Sequence, residues 1–230
     1  MLEGKLAQVA DLLFELGAIK FGASKLKLHE THPDAPLSPI YLNLRTPDNP
    51  KPGPLTPVVL DLIGDVLYGL IHIDRIARFN YFAGIPNAGE PFADALAPKL
   101  AGWDKNVEQI HLIKEEKDGK REIVGVREDL KAIVGYAECP LNVLVIDDLI
   151  TRAGTKLGAI KSLEEAELTV TDILVLVDRE QGGREQIEAA GYRLHAAFTL
   201  KQLLHYYVET DRIGWHQADE VLAYTKESST

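Results

Sequence analysis

Leu6, Val9, Leu12, Leu13 and Leu16 recur at three- and four-residue intervals and are followed by Gly17. That period predicts an amphipathic helix over residues 5–17 with a glycine at its C-terminal end. Residues 18–28 alternate weakly and 40–44 more clearly, which predicts two paired strands, while 29–38, rich in His, Pro and Asp, reads as a loop. Prolines 50, 52, 54 and 57 end that segment, and a domain boundary near residue 50 is compatible with them. Thr56 then stands where it can N-cap a long helix through Val58, Leu60, Leu62, Ile63, Val66, Leu67, Leu70 and Ile71. From residue 77 the order becomes strand, turn, helix. Strands are predicted at 77–83, 109–114, 142–146 and 173–177, and helices near 91–100 and 155–167, with a charged stretch at 115–122. Short apolar strands alternating with helices of ten residues or more point to an α/β fold, a parallel sheet covered on both faces.

Composition adds exclusions. The 230 residues are 46% apolar and 26% charged, the balance of an ordinary folded domain and not of a disordered or fibrous chain. No run approaches the roughly 18 uninterrupted apolar residues of a membrane span, and the start, Met1 to Lys5, has no basic flank and apolar run of a secretory signal. A cytoplasmic protein with no membrane partner is expected. Cys139 is the single cysteine, so an internal disulfide and a cysteine-cluster metal site are both excluded. The formal charge of −10 argues against nucleic acid as a partner. No repeat or low-complexity segment is present, and 226–230 reads as a frayed tail.

Candidate chemistry concentrates in Val143-Leu-Val-Ile-Asp147-Asp148-Leu-Ile-Thr151-Arg-Ala-Gly-Thr155. A buried strand runs into two adjacent carboxylates, then a loop of small and hydroxyl residues, then a helix. The carboxyl ends of parallel strands are where open α/β sheets bind ligands, and a helix N-terminus offers N–H groups to a phosphate. Two carboxylates beside a phosphate would repel it unless the ligand also presents sugar hydroxyls or a divalent cation. On local pattern alone, Asp147 and Asp148 equally read as caps of the following turn.

The segment resembles the 5-phosphoribosyl-1-pyrophosphate (PRPP) signature of type I phosphoribosyltransferases. Val170-Thr-Asp172 through Asp178-Arg-Glu-Gln-Gly-Gly183, Gly191-Tyr-Arg-Leu-His195 and Thr199-Leu200 are similar to the orotate phosphoribosyltransferases, in particular the phosphoribosyltransferase half of UMP synthase. Phe21-Gly22 with Leu26-Lys27, and Ser38-Pro-Ile-Tyr41 with Arg45, resemble the family's amino-terminal hood. The resemblance spans about residues 5–210. It implies one phosphoribosyltransferase domain over 1–230, with a hood mainly at 18–50 and a core at about 54–210. The activity implied is orotate plus PRPP to orotidine 5-phosphate and pyrophosphate, with Mg²⁺, in pyrimidine biosynthesis.

Residue by residue, the resemblance implies that Asp147 and Asp148 hold the ribose hydroxyls, directly or through Mg²⁺. Thr151, Arg152, Ala153, Gly154 and Thr155 hold the 5-phosphate, with Thr151 also facing the base. Arg179 contacts orotate, to which a planar guanidinium is suited, and Lys27 reaches the same substrate, whereas Tyr41 packs. Lys114 and Lys117 match the basic residues of a loop, here 114–121, that neutralises pyrophosphate across a homodimer interface.

The sequence also departs from the family pattern. Ile113 stands in place of an arginine, Gly119 follows Asp118 directly where many bacterial members carry a histidine, Ala88 stands where these often carry a lysine, and Ala153 stands where a glycine is usual. The insertion 29–36 has no counterpart. Lys120 and Arg121 offer compensating charge, although Lys114 to Arg121 also reads as a solvated charged hairpin. The departures leave two further readings in view, a catalytically reduced regulator that binds PRPP or a nucleotide, and a phosphoribosyltransferase for another base.

Overall fold

Helix α1 (Gly4–Glu15) ends as its pattern predicts: Leu16 caps it and Gly17 takes the left-handed conformation, φ 64°. In this computed structural model residues 2–25, 34–103, 107–117, 120–126 and 141–227 are described. Strands β1 (Ile19–Ser24) and β2 (Ser38–Leu42) pair antiparallel, Ile19 opposite Leu42, and form a separate two-stranded sheet within the range expected for the hood. Residues 29–33 of the loop expected between them lie outside the described residues. The hood shares the main core, since Ile19, Ile40 and Leu42 are buried in the same cluster as α1. Phe21 meets Tyr207 edge-on with ring centres 6.3 Å apart, and the Tyr207 hydroxyl donates to Ala10 O at 2.7 Å. Thr56 caps α2 (Pro57–Ile73) through the Val59 N–H, with Pro57 in the first turn where its missing N–H costs nothing.

The remaining strands are β3 (Tyr81–Gly84), β4 (Glu108–Lys117), β5 (Lys120–Val126), β6 (Asn142–Ile150), β7 (Thr169–Asp178) and β8 (Arg193–Thr199). They form one sheet in the order β5-β4-β3-β6-β7-β8, parallel throughout except for the β4–β5 hairpin. The expected α/β class with a mostly parallel sheet is borne out. Two boundaries differ. β3 starts at Tyr81 and not at Ala77, because its partner strand starts at Asn142, whose side chain and N–H are taken by Arg78 O and Asn80 Oδ1. The charged stretch forms the hairpin that one reading of 114–121 gave, with the strand running on past 114: β4 continues to Lys117 and β5 returns beside it, Lys114 opposite Ile123 and Glu115 opposite Glu122.

Helices α4 (Gly154–Glu164) and α5 (Gly183–Ala189) cover one face, over Val143, Val145, Ile173 and Val175. The other face, with Leu144, Ile146, Leu174 and Leu176, packs under α1, α2, α3 (Glu90–Trp103), α6 (Leu200–Glu209) and α7 (Trp215–Glu227). The core therefore runs past residue 210, since Ala218 and Val221 of α7 are buried in it. Among the described residues no helix is long and apolar enough to cross a membrane.

A charged cluster ties this layer to the sheet. His195 on β8 bonds Asp172 on β7 at 2.7 Å and Asp74, the residue that caps α2, at 3.1 Å, and Arg193 bonds Asp172 at 2.8 Å. Burial opposes the charge on His195, but the two carboxylates outweigh it and raise the imidazole pKa above 6.5. Burial likewise opposes the charge on Asp172, and His195, Thr171 and Arg193 outweigh it and hold Asp172 below 3.8. The raised histidine contributes stability in full below its unfolded value and loses it as pH rises through the folded one. Thermal melts of the wild type should therefore fall as the buffer moves from pH 6 to 8, and His195→Gln should flatten that limb. An unchanged slope in the variant would remove His195 as the cause.

Candidate active site

The sheet order places β3 and β6 side by side while the chain leaves them in opposite directions, to β4 on one side and β7 on the other. A crevice at the carboxyl ends of such a pair is the usual ligand site of an open α/β sheet. After β3, residues 85–89 turn sharply across it. Ile85 N donates to Ile146 O at 2.8 Å, and a Cβ on Gly89 would lie 2.5 Å from Ile146 O and 2.9 Å from the Asp147 Cα, so only glycine fits there. From β4, Lys114 reaches the same turn and donates from Nζ to Pro86 O at 2.6 Å.

Asp147 and Asp148 lie within β6, not beyond it as the sequence pattern suggested, because the ladder to β7 continues through Asp147 opposite Val175 to Ile150 opposite Asp178. Successive residues of a strand alternate faces. Val143 and Val145 enter one core and Leu144 and Ile146 the other, and Asp147 continues on the α4 face; beyond it the order reverses, Leu149 joining the cluster of Leu144 and Ile150 that of Val145. Asp147 Oδ2 bonds Lys156 Nζ at 2.6 Å, with both side chains nearly inaccessible. Lys156 also donates to Leu149 O. Asp148 Oδ1 accepts the Leu149 N–H at 2.8 Å. Burial, reinforced by the Asp147 carboxylate, pushes Asp148 up to about 7 against the pull of Lys156, the Leu149 N–H and Arg45.

The loop behind the acidic pair is held from below. Ala153 N donates to Gln186 Oε1 of α5 at 2.9 Å, and Gly183 approaches so closely that a Cβ would lie 2.9 Å from Thr151 O. Ala153 is buried, whereas Gly154 and Thr155 are exposed in the first turn of α4, which no side chain caps. Open N–H groups at the positive end of a helix suit a phosphate. The helix thus begins on Gly-Thr, and the alanine that departs from the family pattern lies just before it. Thr151 is half-buried and Arg152 exposed.

Arg179 follows β7, and its N–H donates to Ile150 O at 3.0 Å, which places it beside the start of the loop. Asp178 organises the turn, accepting the Glu180 N–H at 2.9 Å and Arg184 Nε at 2.8 Å. The Arg179 side chain is buried, 6% exposed, yet its Nε and Nη2 have no hydrogen-bond partner. Burial lowers its pKa, with Tyr224 of α7 the one group opposing that shift. A buried guanidinium with free donors awaits an anion.

The structure thus gathers Lys114, Asp147, Asp148, 151–155 and Arg179 at one end of the sheet. Lys27 and the side chain of Lys117 lie outside the described residues. Two contributors were missed by sequence reasoning, Lys156 and Gln186. The proximity of Lys156 to the loop was the only available signal, and it suggested nothing about Asp147.

A divalent ion held by both carboxylates does not fit this geometry. Asp147 Oδ2 is already taken by the Lys156 ammonium, and among the described residues no group of three or more acidic, His or Cys side chains is placed to hold a metal ion.

No family model matches the chain. It is 30% identical over 199 residues to the orotate phosphoribosyltransferase of Methanocella arvoryzae, covering 86% of this chain and 97% of that protein. It is 28% identical over 207 residues to the uridine 5'-monophosphate synthase of Caenorhabditis elegans, covering 89% of this chain and 37% of that protein. Among solved structures, Leishmania donovani UMP synthase superposes with a TM-score of 0.71 at 28% identity, over 97% of this chain and 43% of that one. The chain therefore spans less than half the length of the UMP synthases it matches.

Proposed function

We propose, because this chain belongs to the orotate phosphoribosyltransferase family, that it transfers the phosphoribosyl group of PRPP to orotate and releases orotidine 5-phosphate and pyrophosphate. The orphaned, buried guanidinium of Arg179 carries this reading: it is a preformed receptor for an acidic planar base, set beside a loop built for phosphate. In the proposal the first turn of α4, with Thr151 and Arg152, takes the 5-phosphate, and Asp148 accepts the ribose hydroxyls. The ring nitrogen of orotate attacks ribose C1 as the C1–oxygen bond to pyrophosphate breaks, and the nitrogen gives up its proton. No covalent nucleophile is needed; positioning and charge neutralisation suffice.

Mg²⁺ accompanying PRPP would supply positive charge to the leaving pyrophosphate. Lys114, already at the β3 turn of its own chain, faces the leaving group. The homodimer belongs to the same proposal, with the tip of the β4–β5 hairpin, Lys117 included, reaching the neighbouring site, and so does a cytoplasmic setting.

The test is pyrophosphate release from PRPP with orotate, uracil, hypoxanthine or no base. A guanidinium contact of about 1.5–3 kcal/mol to the orotate carboxylate favours orotate over uracil about ten- to a hundredfold. Equal rates with all three bases would overturn orotate as the substrate. PRPP binding without turnover on any base would instead support a regulator.

A further inference from the structure

Lys156 occupies a position at which a lysine is doubly disfavoured. It lies in the first turn of α4, where the helix dipole repels a cation, and it is 5% exposed, so its ammonium has lost most of its hydration. Its partners compensate for both: Asp147 Oδ2 at 2.6 Å and Leu149 O at 2.5 Å. These two contacts bind the end of β6 to the first turn of the helix that follows, across the loop assigned to the phosphate. The first of them places a positive charge on one oxygen of Asp147, where it repels a metal ion.

We infer that Lys156 is the resident cation of the acidic pair. Its ammonium supplies at Asp147 the positive charge that a divalent ion would otherwise bring, so the free protein binds no such ion there. The second half of the inference rests on the proposed function: sugar recognition at this end of β6 falls to Asp148 and needs no metal bridge. Lys156 is then a positioning residue, which keeps Asp147 turned inward and holds Leu149 O at the mouth of the loop.

The experiment has two independent readouts on the whole chain. Mn²⁺ binding to the free protein is followed by electron paramagnetic resonance in the wild type, Lys156→Met, Asp147→Asn and the double variant. Ribose 5-phosphate binding, a probe without pyrophosphate, is measured by calorimetry in EDTA and in excess Mg²⁺. The wild type should bind no Mn²⁺ at this site and should hold ribose 5-phosphate equally, within about twofold, with and without Mg²⁺. Lys156→Met should acquire one Mn²⁺ site, lost again in the double variant. A wild-type Mn²⁺ site that Asp147→Asn abolishes would overturn the inference, and so would a folded Lys156→Met protein that gains none. A tenfold or greater tightening of ribose 5-phosphate by Mg²⁺ in the wild type would overturn it too. If Lys156→Met does not fold, the wild-type and Asp147→Asn measurements decide. Ribose 5-phosphate that binds under neither condition counts against the proposed function, and the Mn²⁺ readout then still judges Lys156.

Discussion

Arg179→Met should lose most of the discrimination between orotate and uracil while melting at a higher temperature than the wild type. The two effects have one cause. The guanidinium is buried with Nε and Nη2 unpartnered, and an unsatisfied buried polar group costs about 1–3 kcal/mol, more when charged. Methionine fills a similar volume without that cost, which at this chain length corresponds to a rise of several degrees. On the proposed function the same substitution removes charge-assisted contacts to the base, worth about 1.5–3 kcal/mol, and should lower kcat/KM for orotate by about ten- to a hundredfold. PRPP binding should be nearly intact, because the phosphate loop is held by Gln186 and not by Arg179. Steady-state kinetics on both bases and a thermal melt check the result. A variant that loses stability together with selectivity would show that Arg179 holds the fold instead of waiting for a ligand.

Breaking the Lys156–Asp147 pair from the lysine side should cost the fold far more than breaking both halves. Lys156→Met leaves a carboxylate buried at 4% exposure with its cation gone, a change of about 3–5 kcal/mol. Adding Asp147→Asn removes the uncompensated charge, so the double variant should recover most of the loss. Urea midpoints of the four proteins form the cycle. The pH dependence of the single variant gives a second sign. A lone buried carboxylate has its folded pKa raised, so its protonated form is compatible with folding and stability is lost as pH rises. Lys156→Met should therefore be less impaired at pH 5 than at pH 8. Additive costs in the cycle would mean that the two side chains do not act as a pair.

How far each of these features was legible differs for physical reasons. The Thr56-Pro57 start of α2 and the Gly17 end of α1 are local: a cap needs only its own turn, so sequence suffices. The acidic pair was legible as a site and misplaced as a boundary. Carboxylates look like the end of a strand, but β6 runs on to Ile150 because β7 supplies a ladder for it. The charged stretch 115–122 shows too little apolar alternation to announce the far end of β4 or the start of β5, where the ladder runs on to Lys117 opposite Lys120.

Sequence by itself determined the alternation of strands and helices, hence a parallel sheet. It also marked the candidate site, because the loop after the acidic pair and Arg179 follow their strands directly and strand ends are where such a sheet binds ligands. Tertiary structure alone decided the charge state and partners of those groups. Whether Arg179 is free or paired depends on every element packed around it, including α7 at the far end of the chain. Whether Asp147 is open to a metal depends on Lys156, nine residues on, which turns inward only once α4 has docked on the sheet. Both are properties of burial, and burial is set by packed neighbours that a reading along the chain does not bring together.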